Sequence, residues 1–233
     1  NEGTGAWVDI RTTQTDGLQT YISTWSAVNK AYIANGTDAP FSWDGTTATT
    51  LAAFPVTTLM TLPYRDRLLF IEGGNPSFIR WTTPAYVDTA ITTTAQAVRV
   101  VQGGAIQVIY PHALAGAQEG IVAYVFVGCG SSILLFSGTN LDPAASGFDA
   151  RLDNVSDTVG CASPRTVKST PIGTIFLGSD RHVYLLPFGS IQLLRIGEKI
   201  RSGSSSVTGI EDVPSGQISK ASAEYDDGFY KLS

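Results

Sequence analysis

Charge is scarce in this chain. Only 15% of its 233 residues are Asp, Glu, Lys or Arg, and they sum to a net charge of -5. A protein built to grip phosphates carries a strongly basic face, and this balance supplies none, although an acidic wall still lets DNA slide past. Cysteine is rarer still, with Cys129 and Cys161 the only two. One possible pair in so long a chain is no disulfide framework, so two buried free thiols in a protein folded in a reducing cytoplasm are expected. Long apolar runs are also lacking. The one membrane-span candidate, Ile121 to Phe136, is broken by Gly128-Cys129-Gly130-Ser131-Ser132 into two strand-length halves, which predicts a hairpin and no membrane insertion by this segment. The opening "NEGTGAWVDIRTTQTDG" has neither the basic start nor the apolar centre of a secretory signal.

What the chain does contain is turn chemistry. Gly, Thr, Ser, Ala and Pro are abundant, which suits short strands joined by many turns and argues against long helices. The stretch "YIANGTDAPFSWDGT" places Asn35-Gly36 and Asp44-Gly45 close together, and both dipeptides tolerate the positive φ of tight hairpin turns. It reads as strand, turn, short strand, turn. Four later stretches follow the same plan: "DRLLFIEGGNPSFIRWT", "IVAYVFVGCGSSILLFSG", "GTIFLGSDRHVYLLPFG" and the terminal "YDDGFYKLS".

These units start near Lys30, Asp66, Ile121, Gly173 and Asp226, about 36 to 55 residues apart, in or near the pitch of propeller blades. The strands "AVRVVQGGAIQVIY" and "PRTVKST" between them can complete four-stranded blades. The expected fold is all-β: a propeller-like array of antiparallel hairpins forming one region over residues 1–233, with a β-sandwich as its rival. Residues 201–216, Ser- and Gly-rich, are expected as an exposed loop, a linker or an interface arm that orders on assembly. "IEDVPSGQISKASAEY" has room for a short helical turn. "TNLDPAASGFDARLDNVSDTVG" reads as a loop projecting from a sheet, without the spacing of an EF-hand. The last hairpin, turning at Asp227-Gly228, leaves half a sheet unaccounted for, so the chain is expected to be an incomplete piece of a longer polypeptide.

Candidate chemistry is thin. Asp38, Asp44, Asp66, Glu72 and the pair Asp226-Asp227 are the acids to test for paired-carboxylate hydrolysis, but most sit in turn positions where a short acceptor bonds its own backbone. His112 and His182 are far apart and lack a third ligand at hairpin or helical spacing, so neither a zinc site nor a catalytic base is expected. "GCGSS" lacks the Lys and the following helix of a phosphate loop. "FSWDGTT" resembles the Asp-containing turn of sialidase-like propellers, but Asp44 is followed directly by Gly45 and no Trp comes after. Arg65, Arg67 and Arg80 have the charge to hold a sugar carboxylate. No cofactor and no metal site are expected, and no enzyme activity.

Asn35, Gly36, Asp38, Pro40, Trp43, Asp44 and Gly45, followed by Asp66, Arg67, Leu68, Phe70, Asn75, Pro76 and Trp81, form a two-hairpin signature. It resembles the repeated signature of β-propeller tail proteins of tailed bacteriophages, of the hub, nozzle or packaged-DNA stabilisation type. Gly160, Pro164, Gly178 and Tyr184 fall where a further blade of that family places its residues. The resemblance implies a structural part of a virion tail, made in the host bacterial cytoplasm. It implies a homo-oligomeric ring, hexameric in such parts, beside other tail or head-to-tail connector proteins, with DNA passing through a channel without sequence-specific binding. The alternative is a propeller module that binds or cleaves host-surface glycans.

Overall fold

The computed structural model describes residues 9–91, 97–112, 124–142, 145–196 and 215–233. The fold is all-β and propeller-like. Four sheets of four antiparallel strands follow one another, each strand paired with its neighbour in sequence. The first holds β1 (Tyr21–Trp25), β2 (Lys30–Ala34), β3 (Phe41–Trp43) and β4 (Ala48–Thr50). The second holds β5 (Thr58–Tyr64), β6 (Arg67–Glu72), β7 (Phe78–Trp81) and β8 (Ala97–Arg99). The third holds β9 (Ile106–His112), β10 (Tyr124–Cys129), β11 (Ile133–Ser137) and β12 (Arg151–Ser156). The fourth holds β13 (Lys168–Thr170), β14 (Gly173–Leu177), β15 (Val183–Pro187) and β16 (Leu194–Ile196). A two-stranded pair follows, β17 (Ala223–Asp226) with β18 (Phe229–Leu232). β1 lies against β5, β5 against β9, and β13 against β17, so the first strands of the sheets gather on one side.

The central strands explain the sequence pattern. β6, β10, β11, β14 and β15 are almost wholly buried along their length. A strand covered on both faces reads as a continuous apolar run, not as an alternation. "RLLFI", "VFVGC" and "ILLF" are such runs. The outer strands β4, β12 and β16 are largely exposed or half-buried and read as polar. The main core lies between the second, third and fourth sheets, where Trp81, Phe126, Phe136 and Phe176 are fully buried.

The sheets are joined by backbone as well as by packing. The segments entering the second, third and fourth sheets are each held from two sides. The Thr58 carbonyl accepts Gly36 N–H from the preceding hairpin (2.9 Å), and the Thr57 carbonyl accepts Gly73 N–H from the second sheet's own hairpin (2.7 Å). Ile106 N–H donates back to the Pro76 carbonyl (2.8 Å), while Ser131 N–H donates to Gly103 (3.1 Å). Cys161 N–H donates to Cys129 (2.8 Å), and Ser179 N–H donates to Gly160 (2.9 Å). The same clamp occurs three times. Approach this close needs glycine: a Cβ on Gly73 would stand 2.8 Å from the Thr57 carbonyl oxygen, and one on Gly160 would overlap the carbonyls of Cys129 and Gly130.

Several sequence expectations change here. Asn35-Gly36 does not form a two-residue turn: β2 ends at Ala34 and β3 starts at Phe41, and residues 35–40 make a wider loop with positive φ at Gly36 only. Arg151–Ser156, expected within a loop, is a strand paired with β11, because Phe136 and its neighbours leave an open backbone edge that it covers. Asp227-Gly228 does form a tight turn, with φ of 47° and 82°, and its hairpin is complete as a pair of strands. Of residues 201–216, all but 215 and 216 lie outside the described residues, and those two open a single helical turn, Ser215–Ile218. No helix among the described residues is long and apolar enough to cross a membrane.

Both cysteines are free and buried. Burial pushes the Cys129 thiol up to about 11 and the Cys161 thiol up to about 12. Both should stay inert to a thiol reagent at pH 8 in the native protein and react on unfolding; rapid native labelling of either would contradict this packing. Gly160→Ala should lower stability by about 2 kcal/mol or more, read from the denaturant midpoint, because backbone and not a flexible side chain stands in the way.

Candidate functional site

The signature residues are distributed along the joints of the fold. Asn35 Oδ1 accepts the N–H groups of Thr37 and Asp38, and its Nδ2 donates to Asp38 Oδ2 (2.7 Å). Asp38 in turn accepts Thr15 N–H and Thr15 Oγ1–H, tying the N-terminal segment to the loop that carries Gly36. Pro40 accepts Leu51 N–H at the far end of the same loop. Trp43 pairs with Ala48 across the Asp44-Gly45 turn, where Asp44 Oδ1 accepts Thr46 N–H and Thr47 N–H. Those backbone donors hold the Asp44 carboxyl down at about 2, and the donors from Thr15 and Asn35 also lower Asp38.

In the second sheet the same logic continues. Asp66 Oδ2 accepts Ala85 N–H, and Arg67, buried beside it, donates from Nη1 to the Thr82 carbonyl. Leu68 and Phe70 are core residues. Asn75 shapes the hairpin through Glu72 and Phe78, and Pro76 supplies the clamp carbonyl. Trp81 Nε1 donates to the Leu141 carbonyl (2.9 Å) in the next sheet, and Tyr64 OH donates to Gly138 (2.8 Å). Both rings meet Phe136. Of the fourth-sheet positions, Gly160 is in the clamp, Pro164 opens a 3-10 turn (Pro164–Thr166), Gly178 bridges Cys161, and Tyr184 OH donates to Asp180 (2.6 Å).

The acids therefore do not pair with one another. Asp38 and Asp44 are turn acceptors, Glu72 faces Arg80 (3.5 Å) and Asp226 faces Lys231 (3.4 Å). Among the described residues no group of three His, Cys, Asp or Glu side chains could hold a metal. His182 Nδ1 lies 3.1 Å from Asp180. Burial raises Asp180, but donors from Tyr184 and His182 outweigh it and leave the carboxyl lowered. His112 shares a hydrogen bond with Thr174 through Nδ1 (2.9 Å) and packs its ring against Phe188.

A concave site with converging polar groups lies where the first strands meet. A cavity of about 510 Å³ is lined by β1, β5, β9 and the turn and strand from Pro164 to Lys168, so its wall is built from the first strand of each four-stranded sheet. That is the axial position of a radial array. Its volume falls within the usual range for small-molecule sites. Arg65, Arg165 and Lys168 line it and, among the described residues, no Asp or Glu does, although the chain as a whole is acidic. Tyr21, Tyr110, Ser23 and Thr61 add hydroxyl groups, and Ser23 and Thr61 share a hydrogen bond across β1 and β5 (2.9 Å). Burial pushes the Tyr21 hydroxyl up to about 12, against the pull of Arg165, so it remains a donor near neutral pH. Of the arginines named from sequence, Arg65 reaches this cavity, whereas Arg67 and Arg80 are spent on Thr82 and Glu72. Arg165 and Lys168 carried no motif, and only the closing of the first strands into one wall brings them together.

No protein-family model matches the chain, and no curated protein matches it. The class that the fold defines is an all-β, propeller-like protein whose signature residues build joints.

His112 supplies a pH test of the third sheet's packing against the fourth. Burial depresses its pKa from 6.5 to about 4, opposed in part by the Pro187 carbonyl. The unfolded chain thus takes up the proton first as pH falls, and the stability linked to neutral His112 is full above pH 6.5 and lost toward about pH 4. Urea midpoints should fall across that window in the native protein and flatten in His112→Asn, while His182→Gln keeps the fall. A pH-independent native midpoint over the same window would refute the assignment.

Proposed function

We propose that this chain is a non-catalytic structural component of a tailed-phage virion, a hub- or nozzle-type part of the tail that forms a ring around the DNA exit channel and helps to retain the packaged genome. One observation carries the reading. The residues that make up the tail-protein signature are those that lock loops and sheets together, through Asn35–Asp38, Trp81–Leu141 and the backbone clamps at Gly36 and Pro76. Such a part has a mechanical task, and its signature residues belong where load passes from sheet to sheet.

The energetics fit that task. Each backbone clamp contributes about 1 kcal/mol net, but it sits within a core whose central strands bury both faces, so one joint cannot open without exposing its neighbours. Copies arranged head to tail make heterologous interfaces that close by rotation into a ring. The net charge of -5 suits a channel that DNA passes without sticking. The wall of the axial cavity is basic, so the surface DNA meets in this reading is the outer face of the blades within the assembled ring, not the cavity. Its partners are further copies and the connector or tail proteins above and below, and its place is the virion after synthesis in the host cytoplasm.

The test is peptide mass spectrometry of gradient-purified particles from the source that yields this chain, scaled to the portal protein. A fixed stoichiometry that fits a closed ring is the expected result. Absence from particles, or an amount that varies between preparations, would overturn the proposal.

A further inference from the structure

We infer that the axial cavity is a binding site for a carboxylated sugar, with Arg65, Arg165 and Lys168 reading the carboxylate and the hydroxyl-bearing first strands reading the ring. Among the described residues the cavity holds three cationic side chains and no acidic one, in a chain with more acids than bases. Among the described residues none of the three makes a salt bridge, whereas Lys30, Arg67, Arg80, Arg151 and Lys231 each face a carboxylate within 4 Å. Arg65 lies in the field of Asp149, and a bound carboxylate would add a second counter-charge at the cavity.

The donors are also incompletely used. Arg65 Nε is buried without a hydrogen-bond partner, and its guanidinium lies over the Tyr64 ring, 5.6 Å from the centroid. Arg65 holds its place in the turn between β5 and β6 with φ of 56°, a left-handed conformation that fixes where the side chain leaves the backbone. Arg165 donates from Nη2 to the Lys220 carbonyl (2.9 Å), which orients the guanidinium and leaves its other nitrogens to serve a ligand. A planar guanidinium fits a carboxylate in a two-point contact, and charge-assisted bonds of this kind are the strong ones.

The remaining wall argues for a hydroxylated ring over a bare anion. Tyr21, Tyr110, Ser23 and Thr61 offer hydroxyl groups that both donate and accept, and Met60 and Ile109 between them provide apolar surface for the C–H face of a sugar. A space of about 510 Å³ takes a monosaccharide or a disaccharide and excludes a nucleic-acid duplex. This inference is independent of the virion proposal: the cavity can bind such a sugar whether or not the chain is found in particles.

The experiment is calorimetric titration of the whole chain with glucuronate, with glucose and inorganic phosphate as separate titrants. Saturable glucuronate binding is expected, at least about tenfold tighter than glucose or phosphate, and weakened at least about tenfold in Lys168→Gln and in Arg65→Asn, Asn being at ease with positive φ. Urea midpoints no lower than the native one in both variants would assign the loss to the ligand contacts. Should either variant fail to fold, methyl glucuronate, which lacks the charge, takes its place as a titrant against the native protein and should bind at least about tenfold more weakly than glucuronate. Phosphate binding as tightly as glucuronate, glucose or methyl glucuronate binding as tightly, or no glucuronate binding at tens of millimolar would each overturn the inference.

Discussion

Everything in this fold depends on how the chain enters each sheet. The first strand of a four-stranded meander has a free edge on the axial side, and an unsupported edge invites slippage or pairing with another chain. Here the residues just before or at that strand are held by the previous sheet's central hairpin and by their own. Thr57-Thr58 lies between Gly36 and Gly73, the segment from Gly103 to Ile106 between Pro76 and Ser131, and Gly160-Cys161 between Cys129 and Ser179. These are backbone contacts, which set distance and angle more tightly than side-chain packing does. The register of each sheet against the next is therefore fixed before any side chain is chosen, and the glycines at Gly73 and Gly160 follow from the geometry.

The last pair of strands departs from this arrangement. Ser163 Oγ donates to the Ala221 carbonyl, Arg165 to Lys220, and Tyr230 OH to Thr166. The side chains of Ser163, Arg165 and Tyr230 do here what backbone does elsewhere. β17 and β18 are correspondingly more exposed than the central strands of the other sheets, and Phe229 is 67% exposed. A side-chain joint tolerates small rotations that a backbone clamp forbids.

The parts of the fold legible in the sequence were those where local chemistry and tertiary environment point the same way. β10 with β11 and β14 with β15 could be read because burial on both faces gives unbroken apolar runs and a glycine-containing turn divides them. The Asp227-Gly228 turn could be read because its conformation demands those residues. Arg151–Ser156 could not: an outer strand owes its structure to the neighbour it covers, and "RLDNVS" alone has no preference strong enough to declare it. Asn35-Gly36 misled for a related reason. The dipeptide does reverse the chain, but Gly36 is there for the approach to Thr58 and Leu59 in the next sheet, information that lies outside the hairpin. At the candidate site, Arg65 drew notice by its charge, while Arg165 and Lys168 were silent because the strands that unite them lie far apart in sequence.

A division of labour follows between residues that recur along the chain and residues that do not. The recurring ones, glycines and turn acceptors, answer a demand that every sheet repeats. The cavity residues answer a demand made once, at the point where the first strands meet, so no periodicity marks them. Their cost argues that something other than folding retains them. A buried polar group without a partner costs about 1–3 kcal/mol, and Arg65 Nε is such a group. The Tyr64 ring beneath the guanidinium offsets about 0.5–1 kcal/mol of that. A wall that keeps Arg65, Arg165 and Lys168 together without a carboxylate among its described lining residues is shaped by what enters the cavity more than by what surrounds it.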